Sequence, residues 1–174
     1  TIVFQASLEE ASPEEAKVIL ENDLMGSTQV IVDIYSRYLF ETSLFEKRKD
    51  SSLSVSELKE TMIKAQKEAY GDALDANYLH PYMWMCKPHY YEASTNFYNF
   101  PYAFGLLFAK GLFNIYQNDK EAFIPRYNQL LKSTGSHSIH DVLSIMGIDS
   151  HDPEFFRSSL ELIKNDIDYF TRLD

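Results

Sequence analysis

The residues best equipped for chemistry lie in one run, Lys87-Pro88-His89-Tyr90-Tyr91-Glu92-Ala93-Ser94-Thr95-Asn96-Phe97-Tyr98-Asn99-Phe100-Pro101-Tyr102-Ala103-Phe104-Gly105. An imidazole followed by several phenols can supply neutral hydrogen-bond donors to a substrate carbonyl, or to the oxyanion of a tetrahedral intermediate. Tyr98 and Tyr102 are four residues apart and would share a face on a helix. Donors alone make no enzyme, because an electrophile or a metal must polarise the reacting bond. The same run also reads as a Tyr-rich helix packed on its neighbours, with His89 satisfied by a backbone carbonyl.

Other chemistries find less support. The histidines are His80, His89, His137, His140 and His151, and none stands in a His-Glu-x-x-His helix, the spacing that presents two imidazoles and a carboxylate to zinc. His137 and His140 are three apart but lie where a helix only begins, with no evident carboxylate or thiolate to complete a zinc shell. The single cysteine, Cys86, precedes His89 by three residues and invites a thiolate–imidazole pair. A lone cysteine between Met85 and Lys87 in an apolar stretch is more often just packed. No Gly-x-Ser-x-Gly elbow and no glycine-rich phosphate loop occurs.

Composition narrows the partners. The 174 residues are 45% hydrophobic and 14% aromatic, a composition for one packed domain over residues 1–174. Sixteen basic against twenty-six acidic residues give a formal charge of −10, which repels nucleic acid and anionic membrane surfaces. No apolar run reaches the length of a bilayer span, and the first residues carry no basic leader. One cysteine fits a reducing compartment, so a soluble cytoplasmic protein is expected. A chain that begins with Thr is expected to be trimmed, or to be a piece of something longer.

The elements that must position the His–Tyr run are all helical, and the fold class expected is all-α. Ser12-Pro13-Glu14-Glu15 predicts a capped helix start, with an interruption at Gly26-Ser27. A second helix carries Ile31, Tyr35, Tyr38 and Phe45 along one face and ends near Lys47-Arg48-Lys49. Ser54 and Glu57 predict a capping box for a third helix, with Leu58, Met62, Ala65 and Ala69 on one stripe and a stop at Gly71. Residues 72–92 are the least regular. A fourth helix is predicted over roughly 94–117, bent or delayed by Pro101. A fifth covers 120–132, a short one 139–146, and a last one starts at Asp152-Pro153 with Phe156, Leu160, Ile163, Ile167 and Phe170 at helical spacing.

Pro88-His89-Tyr90, Phe97-Tyr98 and Tyr102-Ala103-Phe104-Gly105 together resemble the Pro-His-aromatic … Phe-Tyr-x-x-x-Tyr-Ala-x-Gly pattern of the oligoendopeptidase F family, relatives of thimet oligopeptidase. The flanks agree. Tyr70-Gly71-Asp72 resembles the family's Tyr-Gly-Asp, and Lys132-Ser133-Thr134-Gly135-Ser136 its Lys-Ser-Gly-Gly-Ser turn. Val142 to Asp149, followed by Pro153, is similar to its terminal signature. The similarity runs in order over essentially the whole chain.

The resemblance implies the C-terminal part of a zinc metalloendopeptidase catalytic domain that hydrolyses short peptides. In the intact family enzyme a His-Glu-x-x-His helix and a later Glu bind zinc. Those ligands would lie upstream, so no zinc is expected on this chain alone, and no activity. Residues 1–11 would end the helix that follows the third ligand. By the same resemblance His89 and Tyr98 would contact the peptide backbone, and Tyr98 or Tyr102 would hydrogen-bond the scissile carbonyl oxygen. Pro101 falls inside this motif and bears on the rotation of Tyr102. The remaining N-terminal part of the catalytic domain would be the partner, packed on an exposed apolar surface. The alternative is a free-standing helical interaction module with a closed core and no catalysis.

Overall fold

The computed structural model describes residues 2–173, with side chains from Val3 onward, and every regular element among them is helical. The order is α1 (Ile2–Glu10), α2 (Pro13–Thr28), a π-helical segment (Gln29–Asp33), α3 (Ile34–Arg48) and α4 (Val55–Tyr70). Three 3₁₀ turns follow (Met83–Cys86, Pro88–Tyr91, Ala93–Thr95), then α5 (Phe100–Asn118), α6 (Lys120–Ser133), α7 (Ile139–Ile145) and α8 (Glu154–Arg172). The all-α expectation holds. A helix is present over the described part of residues 1–11, and Thr1 lies outside the described residues.

Two compact units form, one from Met25–Phe104 and the other from Thr1–Leu24 with Gly105–Asp174. In the first, α3 and α4 pack together across the short loop 49–54. The Ser54 amide donates to the Glu57 carboxylate at 2.8 Å and the Glu57 amide to Ser54 Oγ at 3.3 Å, the reciprocal cap expected from the sequence. Phe40, Met62 and Ala65 form the buried centre, with Leu39, Leu44, Leu58, Met83, Trp84 and Tyr90 around it. Burying a side chain such as Phe40 contributes about 1.5–3 kcal/mol. The irregular segment after Gly71 is tied to α4 by a pair of hydrogen bonds between the Gln66 side chain and the His80 backbone. Gln66 Nε2 donates to the His80 carbonyl at 2.8 Å, and the His80 amide donates to Gln66 Oε1 at 3.0 Å.

In the second unit Ala16, Leu20, Leu112, Phe123, Leu130, Leu143, Met146, Ile148 and Ile163 are buried. Asp119 caps α6 by accepting the Ala122 amide at 3.0 Å, and Ser138 caps α7 by accepting that of Asp141 at 3.2 Å. Gly147 ends the α7 region with φ 75°, a left-handed backbone that glycine takes without strain. Lys110 is 3% exposed, and its Nζ reaches Asp23 at 3.2 Å and Asp166 at 3.4 Å.

Two local expectations are corrected. Gly26-Ser27 does not interrupt the chain: α2 continues to Thr28 and passes through the π-helical segment directly into α3. A helical glycine weakens a helix by only about 1 kcal/mol, which packing readily offsets. The wider π turn carries Asp33 to a buried position, 5% exposed. The helix predicted from about residue 94 begins instead at Phe100, so Tyr98 sits in the turn before it. Pro101 in the first helical turn, and a restricted backbone before it, account for the delay. The Tyr35–Tyr38–Phe45 face of α3 exists, but it is exposed rather than turned into the Phe40–Met62 core.

Candidate functional site

The candidate site lies in the unit Met25–Phe104 and is built by the turns between Pro88 and Phe100. Pro88 opens the turn that carries His89, Tyr90 and Tyr91, where its fixed φ suits a first helical position. The three aromatic residues part company there. Tyr90 goes to the core, its ring edge-on to Phe40 at 5.2 Å, and burial pushes its phenol far above the ordinary value. Tyr91 is exposed. The Thr95 hydroxyl closes the loop beneath His89, donating to the carbonyls of His89 at 3.2 Å and Glu92 at 3.0 Å.

Phe97 follows with φ 53°, a non-glycine residue in left-handed backbone. Its amide donates to the buried Glu41 carboxylate of α3 at 2.9 Å. Its ring packs against Tyr38 at 5.7 Å and Phe45 at 5.5 Å. Tyr98 then lies flat on the His89 imidazole, with centroids 4.7 Å apart and planes 13° apart. From the first turn of α5, Tyr102 brings its ring to 6.1 Å from that of Tyr98, and its hydroxyl donates to the Tyr98 hydroxyl at 3.5 Å.

His89, Tyr98 and Tyr102 are therefore gathered in one place, although Tyr98 is not on the helix that the four-residue spacing presumed. Tyr98 is 44% exposed and Tyr102 52%. The hydrogen bond to Tyr98 raises the Tyr102 phenol above its usual value, so it stays a protonated donor at neutral pH. A 3.5 Å contact is at the weak limit and leaves both hydroxyls free to turn to a better acceptor. His89 Nδ1 is buried without a hydrogen-bond partner among the described residues. The arrangement can present phenol and imidazole donors to an extended polar chain.

Beneath these donors lies a charged stripe that sequence reasoning passed over. Asp33, Arg37 and Glu41 recur every four residues, and that periodicity among aromatic neighbours was the available signal. Arg37 is paired with Asp33, whose carboxylate also accepts from Gln29 at 2.7 Å and from the Tyr70 hydroxyl at 3.4 Å. Burial pushes the Glu41 carboxyl above the usual carboxylate range, against the Phe97 amide and the nearby His89 charge, which pull it down.

The other candidates separate. Cys86 is an exposed free thiol on the preceding turn, and no hydrogen bond joins it to His89 among the described residues. His137 Nδ1 meets Ser136 Oγ at 2.9 Å, whereas His140 Nδ1 meets Ser150 Oγ at 3.0 Å. Among the described residues no group of three or more His, Cys, Asp or Glu is placed to hold a metal ion. No helix among the described residues is long and apolar enough to cross a membrane.

Neither a family model nor a curated protein matches the sequence. The structure is similar to the crystal structure of oligoendopeptidase-F from Enterococcus faecium, with a TM-score of 0.87 and 22% sequence identity. The match covers 99% of this chain and 33% of that one, so this chain spans a third of the length of the protein it matches. At that identity the likeness concerns the fold, and the chain has the fold of one third of oligoendopeptidase-F.

Proposed function

We propose that this chain forms the substrate-facing wall of an oligoendopeptidase-type zinc metallopeptidase, as the C-terminal part of its catalytic domain. The observation that carries this reading is the convergence of a half-buried His89 with the exposed Tyr98 and Tyr102. The fold likeness to a third of oligoendopeptidase-F supports this reading. His89 and Tyr98 contact the backbone of a short peptide, and Tyr98 or Tyr102 donates to the scissile carbonyl oxygen as charge develops on it. The zinc of such an enzyme would be held by residues outside this sequence, and this chain supplies binding and oxyanion stabilisation only.

The apolar surface supports a missing partner rather than a self-sufficient interaction module. Tyr35, Tyr38 and Phe100 are exposed, and with Ile31, Val32 and Ala103 they border an open groove of about 360 Å³. A monomer rarely leaves such a face uncovered, and the remainder of the catalytic domain is the covering expected. An acidic chain in a cytoplasmic, peptide-degrading enzyme fits the charge of −10.

The test is turnover of short fluorogenic peptides by the longer protein that carries this chain. Either Tyr98→Phe or Tyr102→Phe lowers kcat by roughly 10²–10³ while KM changes little, the loss usual for one oxyanion donor. His89→Ala raises KM. Both phenylalanine variants turning over at the wild-type rate would refute the assignment.

A further inference from the structure

We propose that Glu41 is the positioning residue of this site: its carboxylate holds Phe97 in a left-handed turn and so sets Tyr98 on the His89 ring. The inference rests on reading His89, Tyr98 and Tyr102 as the substrate-facing donors. Phe97 is the non-glycine residue with positive φ among the described residues. A bulky side chain disfavours that backbone, so something must hold it. The Phe97 ring is wedged between Tyr38 and Phe45, and its amide ends on Glu41 Oε1 at 2.9 Å, across 56 positions of sequence.

Glu41 itself is 4% exposed, and a buried carboxylate persists only where hydrogen bonds or charges compensate it. Arg37, one turn earlier on the same helix, is committed to Asp33. The groups that face Glu41 are the Phe97 amide and His89 from the turns, with Tyr90, Arg37 and Asp33 around them. Phe97 immediately precedes Tyr98, so the left-handed turn decides how the Tyr98 ring leaves the backbone. It leaves it stacked on His89, within reach of Tyr102. One buried carboxylate thus addresses both partners of the stack: it bonds the residue before Tyr98 and lies in the field of His89.

The experiment is NMR of the 174-residue chain, wild type beside Glu41→Gln and Glu41→Leu. In the wild type the Phe97 amide resonance follows a carboxylate that titrates above the ordinary range, and the His89 ring protons are shifted upfield by the Tyr98 ring. Glu41→Leu loses roughly 10- to 100-fold in Phe97 amide protection, as expected for a hydrogen bond to a charged group. It also loses the His89 upfield shift. Glu41→Gln keeps an acceptor oxygen, so the stack survives while the Phe97 amide stops responding to pH.

A folded Glu41→Leu chain with an unchanged His89 shift would overturn the proposal. Should that variant fail to fold, wild type and Glu41→Gln decide. A Phe97 amide indifferent to pH in the wild type, or equally responsive in both, overturns it. Tyr98→Phe and Tyr102→Phe both leaving peptide turnover intact would sink the peptidase reading and leave the Glu41 comparisons as they are, so the two failures are separable.

Discussion

Two glycines of α5 should respond to alanine with opposite sign. Gly111 is buried, and a Cβ built there would lie 2.4 Å from Phe155 Cζ, 2.6 Å from Phe155 Cε2 and 2.8 Å from Ser159 Oγ. Carbon atoms in contact sit about 3.5–4.0 Å apart, so the Phe155 ring must retreat by roughly 1 Å. That ring is not free to do so, since it packs on Phe108 at 6.0 Å and Phe156 at 5.2 Å. Overpacking of this kind costs about 1–3 kcal/mol, against about 1 kcal/mol gained from helix propensity. Gly105, one and a half turns earlier, has nothing within 4 Å of its Cβ position. Gly105→Ala should therefore stabilise by about 0.5–1 kcal/mol. The propensity gain is common to both, so their difference isolates the clash at Gly111 and should amount to about 1–3 kcal/mol. In urea unfolding with a slope of about 2 kcal/mol/M, this separates the two midpoints by about 0.5–1.5 M. Gly111→Ala raising the midpoint as far as Gly105→Ala would refute the close approach of α5 and α8.

Two further predictions concern buried charge and protons. Lys110→Met strands Asp166 and Asp23 without their shared cation and should lower stability by about 3 kcal/mol, with part of the loss recovered in the double variant Lys110→Met/Asp166→Asn, as read from denaturation midpoints. Burial raises the phenols of Tyr90 and Tyr70, so the folded chain retains these protons above the usual phenol value of 10.0. Their contribution to stability is complete below that value and is lost as pH rises through the raised ones. An alkaline titration followed by phenolate absorbance should show Tyr90 ionising only as the chain unfolds, and a Tyr90→Phe chain with an unchanged late phase would count against it.

Most of the fold was legible because its boundaries are written in local chemistry. The capping boxes at Ser12–Glu15 and Ser54–Glu57 satisfy orphan amides within three residues, so nothing distant is needed to read them. The failures are the places where distant contacts decide. Gly26 reads as a break, but the continuous path into α3 depends on burying Ser27 and Asp33, which no neighbouring residue announces. Tyr98 reads as helical from its spacing to Tyr102, yet Pro101 and the Glu41 bond at Phe97 keep it in a turn. The hydroxyls still come within 3.5 Å of each other from the turn.

That outcome separates two kinds of site residue. His89, Tyr98 and Tyr102 are recognisable by type, since imidazole and phenol are the groups that donate at neutral pH. Glu41 is not, because its role depends on a partner 56 positions away, and alone on α3 it looks like an ordinary solvated carboxylate. Phenols at 44% and 52% exposure are open to solvent, and a donor helps a developing oxyanion only when its position is held before the charge appears. Holding it takes a buried, hydrogen-bonded support, because an exposed one would be screened and would exchange with water. Glu41 meets that requirement, being buried and bonded to the residue beside Tyr98. A cluster of tyrosines selected only for packing has no need of such a support, least of all one that keeps a phenylalanine in left-handed backbone and a carboxylate out of water.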